Sequence, residues 1–321
     1  MEEHHTESLE AGIRQAVHAY LPGRTVHSIR DRGTWVRRIV EVRLEEGPTL
    51  FFKLHAHDDW FDATQHEAQV VELFREHDLP AAPILVADDS REFLPYSYVI
   101  QEQVGGRRLG DLLERVSEAE AQEIYERLGR LYARMHAVHN AWSGLWVEIP
   151  NKPRPSDYLY KAEIVEGSGK QALESGRISP GTYERAVALW GVNLPYLQEH
   201  RPSLVHYSPF PWSIYLEREG DGWRVTKLTS LGDVMWWDPA YDVTCLLYPP
   251  FMETTPGRQE AFLEGYGERP AQKRVLLYLV LQRLAAAMGS YMAPASAENR
   301  SWAEQALDDL DEILDEIEAR R

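Results

Sequence analysis

The 321-residue chain has a single cysteine, Cys245, which excludes an internal disulfide and any zinc site built from several cysteines. It has no run of about 18 uninterrupted apolar residues, the length a membrane-spanning helix needs, so no membrane partner is expected. A basic-then-apolar leader is also missing: Met1 to Glu10 is polar and acidic, which makes the cytoplasm the expected compartment. Basic side chains are scarce, 34 Lys and Arg against 51 Asp and Glu, for a formal net charge of -17. That field repels a phosphate backbone, so nucleic acid is not an expected partner. The acid either keeps the protein soluble and does nothing more, or attracts a small cationic ligand such as an amine.

What is present is ordinary globular material, with 44% hydrophobic residues and no repeat or low-complexity tract. Leu9, Ile13, Ala16, Val17 and Tyr20 recur at helical spacing, and Pro22-Gly23 ends that helix. Two strand-like runs, Trp35 to Leu44 and Thr49 to Leu54, flank the turn Glu45-Glu46-Gly47-Pro48 and predict a hairpin. A helix is predicted from Phe61 to His77, then strands at Ile84 to Ala87 and Tyr96 to Gln101. Past Gly105-Gly106 the pattern turns helical. Ile124, Leu128, Leu131, Met135 and Val138 mark one long amphipathic helix, and two more are expected between Ser156 and His200. A strand-rich island runs from Leu204 to Leu231. Helices follow to the end, the last with Trp302, Leu307, Leu310, Ile313, Leu314 and Ile317 on its core face.

A small sheet with one helix, a Gly-Gly hinge and a larger helical part with a strand-rich island is the order of a kinase-like fold. The expected class is therefore α+β and bilobal: residues 1–103 form an N-terminal lobe with an antiparallel sheet plus a helix, and residues 104–321 a mainly helical C-terminal lobe. Lys53 lies within the apolar strand Leu50-Phe51-Phe52-Lys53-Leu54, where a lone lysine needs a charged partner; Glu67 on the next helix is the candidate. The alternative is an edge-strand lysine pointing to water.

Two later segments are more specific. Leu204-Val205-His206-Tyr207-Ser208-Pro209-Phe210-Pro211-Trp212-Ser213-Ile214 is one; the other is Thr229-Ser230-Leu231-Gly232-Asp233 running on to Trp237-Asp238-Pro239-Ala240-Tyr241-Asp242. These resemble the aminoglycoside phosphotransferase and choline kinase superfamily, whose catalytic loop reads about His-Gly-Asp-x-His-Pro-x-Asn and whose metal segment reads about Ile-Asp-Trp-Glu, then Gly-Asp-Pro-x-Tyr-Asp-Leu. Gly33 is similar to that family's nucleotide-covering turn, Gln101 to Gly106 to its hinge, and Lys53 with Glu67 to its phosphate clamp. The resemblance implies ATP as cofactor and a substrate region at residues 151–200.

Carried over residue by residue, it also implies a deficit within residues 204–242. Ser208, two residues after His206, stands at the catalytic aspartate. Ser213 stands at the metal-binding asparagine, and Ser230, eight residues before Asp238, at the metal-binding aspartate. Magnesium is usually held through carboxylates, phosphate oxygens and water, and serine adds no charge, so no metal ligand is expected unless Asp233, three residues past Ser230, supplies one. The leading expectation is a catalytically impaired, pseudokinase-like member that binds a small molecule, a nucleotide or a protein partner. The alternatives are an active ATP-dependent kinase for a small hydroxyl or amine compound, and a structural subunit of a complex. His206 and Asp242 are expected to serve the fold by hydrogen bonding, and Asp238 to cap the helix behind Pro239.

Overall fold

The computed structural model describes residues 2–32, 38–55, 63–145, 157–249, 252, 254–292 and 307–320. Gly33, Trp35, Phe61 and Trp302 fall outside them. The chain divides into two compact units, the first built mainly from residues up to Gly105 and the second from Gly106 onward.

In the first unit, α1 (Glu2–Tyr20) precedes β1 (Val26–Asp31), β2 (Arg38–Leu44) and β3 (Leu50–His55); α2 (Ala63–Glu76), β4 (Ile84–Asp88) and β5 (Ser97–Glu102) follow. The five strands form one antiparallel sheet in the order β1-β2-β3-β5-β4. One face is apolar. Val40, Val42, Leu50, Phe52, Leu54, Tyr98 and Ile100 pack with Leu9, Ile13, Ala16 and Val17 of α1, the stripe predicted from helical spacing. Strand β1 was not legible in advance, because His27, Ser28 and Arg30 break its apolar alternation.

The second unit is mainly helical. It opens with β6 (Arg107–Arg108), α3 (Leu109–Leu113), α4 (Glu118–His136) and β7 (Gly144–Leu145), and continues with α5 (Asp157–Glu174), α6 (Pro180–Gln198) and β8 (Ser203–Val205). Then come β9 (Ile214–Glu219), β10 (Gly222–Leu228), β11 (Met235–Trp237), α7 (Ala240–Leu247), α8 (Pro256–Tyr266), α9 (Gln272–Met292) and α10 (Leu310–Ala319).

Helix α4 starts at a capping box, in which Ser117 Oγ accepts from Glu120 N and the Glu120 carboxylate accepts from Ser117 N. It ends two residues short of Val138, the last position of the predicted stripe. Its Gly129 lets α8 approach until a Cβ there would meet Phe262 O at 2.1 Å. Two small sheets, β10-β9-β6 and β7-β11-β8, carry the island between the helices. The strands β6, β7 and β11 escaped prediction because runs of two or three residues show no period. No helix of the described residues is long and apolar enough to cross a membrane.

Candidate functional site

In the first unit, Lys53 Nζ donates to Glu67 Oε1, so the strand lysine has the helix partner expected for it. Glu67 is buried and also has His55 Nε2 at 3.9 Å from its second oxygen. Lys53 therefore holds the carboxylate on the side of β3 opposite the apolar core. Gln101 is buried on β5, with its Nε2 donating to Ala82 O at 3.4 Å, so its side chain is committed inside this unit.

In the second unit, the loop after β8 is organised by Asp242 near the start of α7. Asp242 Oδ2 accepts from His206 N at 2.7 Å, and Oδ1 accepts from Tyr207 N at 2.9 Å. His136 Nε2, from the last turn of α4, donates to Oδ2 at 3.2 Å, while Tyr266 of α8 donates to His136 Nδ1 at 2.8 Å. The carboxylate thus ties α4, α7 and α8 to the loop, the bracing expected of it.

His206 is fully buried, and its ring is used at both ends. Thr229 O can only accept, so Nε2 carries the proton and donates to it at 2.8 Å; Nδ1 then accepts from Tyr132 at 2.9 Å. Burial holds the pKa of His206 below its usual value against the opposing pull of Asp242. Both ring nitrogens are thus committed to protein partners. Tyr132, which has no counterpart in the sequence reading, is its essential partner; its place on the buried stripe of α4 was the available signal.

The three serines have three different environments. Ser208 Oγ donates to Asp233 Oδ2 at 2.6 Å. Ser213 is fully buried, and its hydroxyl points at Ser208 O (2.7 Å) and Phe210 O (2.8 Å), the carbonyls of its own loop. Ser230 sits in the left-handed region at φ 62°, immediately before the 3-10 turn Leu231–Asp233. Left-handed backbone is uncommon outside Gly, Asn and Asp, so the turn is held by its surroundings and not by the intrinsic preference of serine.

These positions offer a magnesium ion three hydroxyls and one carboxylate. The single proton of Ser213 is spent on loop carbonyls, Ser230 adds no charge, and Asp233, the one carboxylate brought in, accepts from Ser208. Among the described residues, no group of three or more His, Cys, Asp and Glu side chains is arranged to hold a metal ion.

Asp238 departs slightly from expectation. Helix α7 begins at Ala240 with Pro239 as its cap, and Asp238 Oδ1 accepts from Ala240 N at 3.0 Å from one position further back. Its other oxygen accepts from Tyr278 at 2.7 Å and from Arg274, whose guanidinium also donates to Leu197 O and Tyr196 O at the end of α6. Of the aromatics near the two loops, Trp236 and Trp237 are buried, Tyr207 stacks on Tyr241 at 4.5 Å, and Trp212 stays half exposed against Phe210.

Comparison with solved structures gives the same architecture at low identity. A thermostable aminoglycoside phosphotransferase mutant, in ternary complex with AMP-PNP and hygromycin B, has a TM-score of 0.66 and 14% identity; the match covers 94% of this chain and 97% of that one. The macrolide 2'-phosphotransferase MphH from Brachybacterium faecium gives 0.56 and 15%, covering 92% and 97%. An aminoglycoside phosphotransferase in its GDP and kanamycin complex gives 0.64 and 12%, covering 93% and 97%. No curated protein matches the chain. The model of the phosphotransferase enzyme family matches residues 10–278, most of the length, and the chain belongs to that family.

Proposed function

We propose that this protein is a phosphotransferase-family member impaired in phosphoryl transfer, and that it acts by binding a small molecule, with a nucleotide as the first candidate. The observation that carries the reading is the inward commitment of the Ser213 hydroxyl to Ser208 O and Phe210 O. A side chain spent on its own loop does not reach for a metal, and phosphoryl transfer leaves the protein little to contribute beyond positioning and charge neutralisation. Losing one positioned electrostatic group costs about a hundred- to a thousandfold in rate, and grouped losses do not add. The retained Lys53–Glu67 pair is consistent with phosphate binding that outlives catalysis.

The test is ATP turnover and thermal stabilisation by ATP, with and without magnesium. The expected result is no magnesium-dependent turnover; an enzyme-like rate onto any acceptor would overturn the reading. The variant Ser208→Asp, Ser213→Asn, Ser230→Asp is expected to gain metal-dependent nucleotide binding.

One observation favours an active kinase for a small hydroxyl or amine compound. Asp233 places a carboxylate 2.6 Å from the Ser208 hydroxyl, which brings an acid back to the catalytic loop from another segment. Under that reading, Asp233→Asn abolishes a measurable turnover. Under the impaired reading there is none to abolish. The acidic balance supports a cationic small molecule as ligand, and a cytoplasmic setting fits the single cysteine.

A further inference from the structure

The sheet of the first unit has a second face, opposite the core packed on α1. Antiparallel pairing sets its members: Arg30 is opposite Glu41, Glu41 opposite Phe51, and Ile39 opposite Lys53, while Arg32 N donates to Ile39 O. Since alternate residues share a face, Arg30, Arg32, Ile39, Glu41, Arg43, Phe51 and Lys53 lie on one side.

Glu41 organises this surface. Its carboxylate is 10% exposed and accepts from Arg32 Nε at 2.9 Å on one oxygen and from Arg43 Nε at 2.8 Å on the other. Burial alone would raise its pKa, but the two guanidiniums outweigh that and hold the group ionised.

Each arginine spends only its Nε on Glu41, and neither has a further partner among the described residues. Their side chains are 45% and 57% exposed. The terminal amino groups of two forks, held side by side by one buried acid, are thus presented outward. Arg30, also exposed, adds a third cation with no side-chain partner among the described residues. Lys53 and Glu67 neutralise each other next to it, so the surface carries excess positive charge in a chain whose net charge is -17. Solubility does not call for such an island, because the acidic remainder already provides it.

We infer that the Arg32–Glu41–Arg43 ladder is a binding site for a phosphate chain taken up without a divalent metal. The inference rests on the impaired-transfer reading: where the loops hold no magnesium, the countercharge for a polyphosphate must come from side chains. Arginine forks bind phosphate oxygens bidentately, and anchoring them through Nε reduces the rotamer freedom lost on binding. The shared chemistry is that of a nucleoside triphosphate and of inorganic polyphosphate.

The experiment uses the full chain and reads affinity by calorimetry, for ATP and for inorganic tripolyphosphate, each in EDTA and in excess magnesium. Both anions are expected to bind in EDTA, and magnesium to weaken them by masking phosphate charge. Arg32→Gln with Arg43→Gln is expected to lose about tenfold or more in affinity. Because that variant strands Glu41, the triple variant Arg32→Gln, Glu41→Gln, Arg43→Gln serves as the second probe and is expected to lose the same.

Binding of both anions assigns the site to the phosphate chain, and binding of ATP alone, lost in the variants, assigns it to a nucleotide. Failure of both anions to bind in EDTA, or equal affinity in all variants, overturns the inference. Magnesium-dependent turnover overturns the impaired-transfer reading instead, and the EDTA arm, which supports no turnover, keeps the two failures apart.

Discussion

Ser208 and Asp233, 25 residues apart, meet through a hydrogen bond of 2.6 Å in which the hydroxyl donates to the carboxylate. The contact makes an acid at position 208 costly unless a cation neutralises it. Ser208→Asp alone sets two carboxylates against each other, and each unit by which the pKa of one rises costs about 1.4 kcal/mol of stability at neutral pH. The penalty exists while both are ionised and disappears as pH falls through the raised pKa towards the unfolded value. Melting curves are therefore expected to show a destabilised variant at pH 7 whose deficit shrinks towards pH 4, and Asp233→Asn is expected to restore it. A deficit that is the same at both pH values would contradict the contact.

His206 predicts the pH dependence of the whole fold. Its folded pKa lies below the usual 6.5, first because it is buried, and His200 and His139 are shifted the same way for the same reason. The unfolded chain therefore takes up protons as pH falls through 6.5 while the folded chain does not, so stability is full above that pH and is lost below it. The slope is up to about 1.4 kcal/mol per pH unit for each histidine kept neutral. Urea denaturation at pH 7.5, 6 and 5 is expected to give a shallower dependence for His206→Gln than for the parent chain, whatever its absolute stability. Parallel slopes would show that His206 does not remain neutral.

Glycine substitutions in two helices should move stability in opposite directions. A Cβ on Gly129 would lie 2.1 Å from Phe262 O and 2.7 Å from Tyr266 N, both backbone atoms of α8. Gly129→Ala is expected to cost about 1–3 kcal/mol through overpacking, despite the better helix propensity of alanine. Gly167 in α5 meets nothing within 4 Å, so Gly167→Ala is expected to gain about 0.5–1 kcal/mol. Chemical denaturation of both variants checks the pair; a neutral Gly129→Ala would mean that α4 and α8 do not approach this closely.

Much of the fold was legible beforehand where burial imposes a period. The α1 stripe, the β2–β3 hairpin and the α4 face follow from apolar spacing, and Lys53 with Glu67 followed from the cost of leaving a lysine unpaired in an apolar strand. Strands β1, β6, β7 and β11 did not, because short or charge-bearing strands draw their pairing from neighbours distant in the chain. Arg32, Glu41 and Arg43 carried no signal in the sequence; antiparallel register set them on one face.

The sequence by itself determined which groups are available: serine at positions 208, 213 and 230, a lysine in a strand, and acid in excess. Residue type was therefore fixed at that level, including hydroxyls where the family resemblance implies catalytic and metal-binding groups. Only the tertiary structure decided which groups meet. Asp233 reaches Ser208, Asp242 gathers two backbone amides and His136, and Glu41 meets Arg32, because hydrogen bonds across 9 to 106 residues of chain are set by how helices and strands pack. Local periodicity carries no information about such distances.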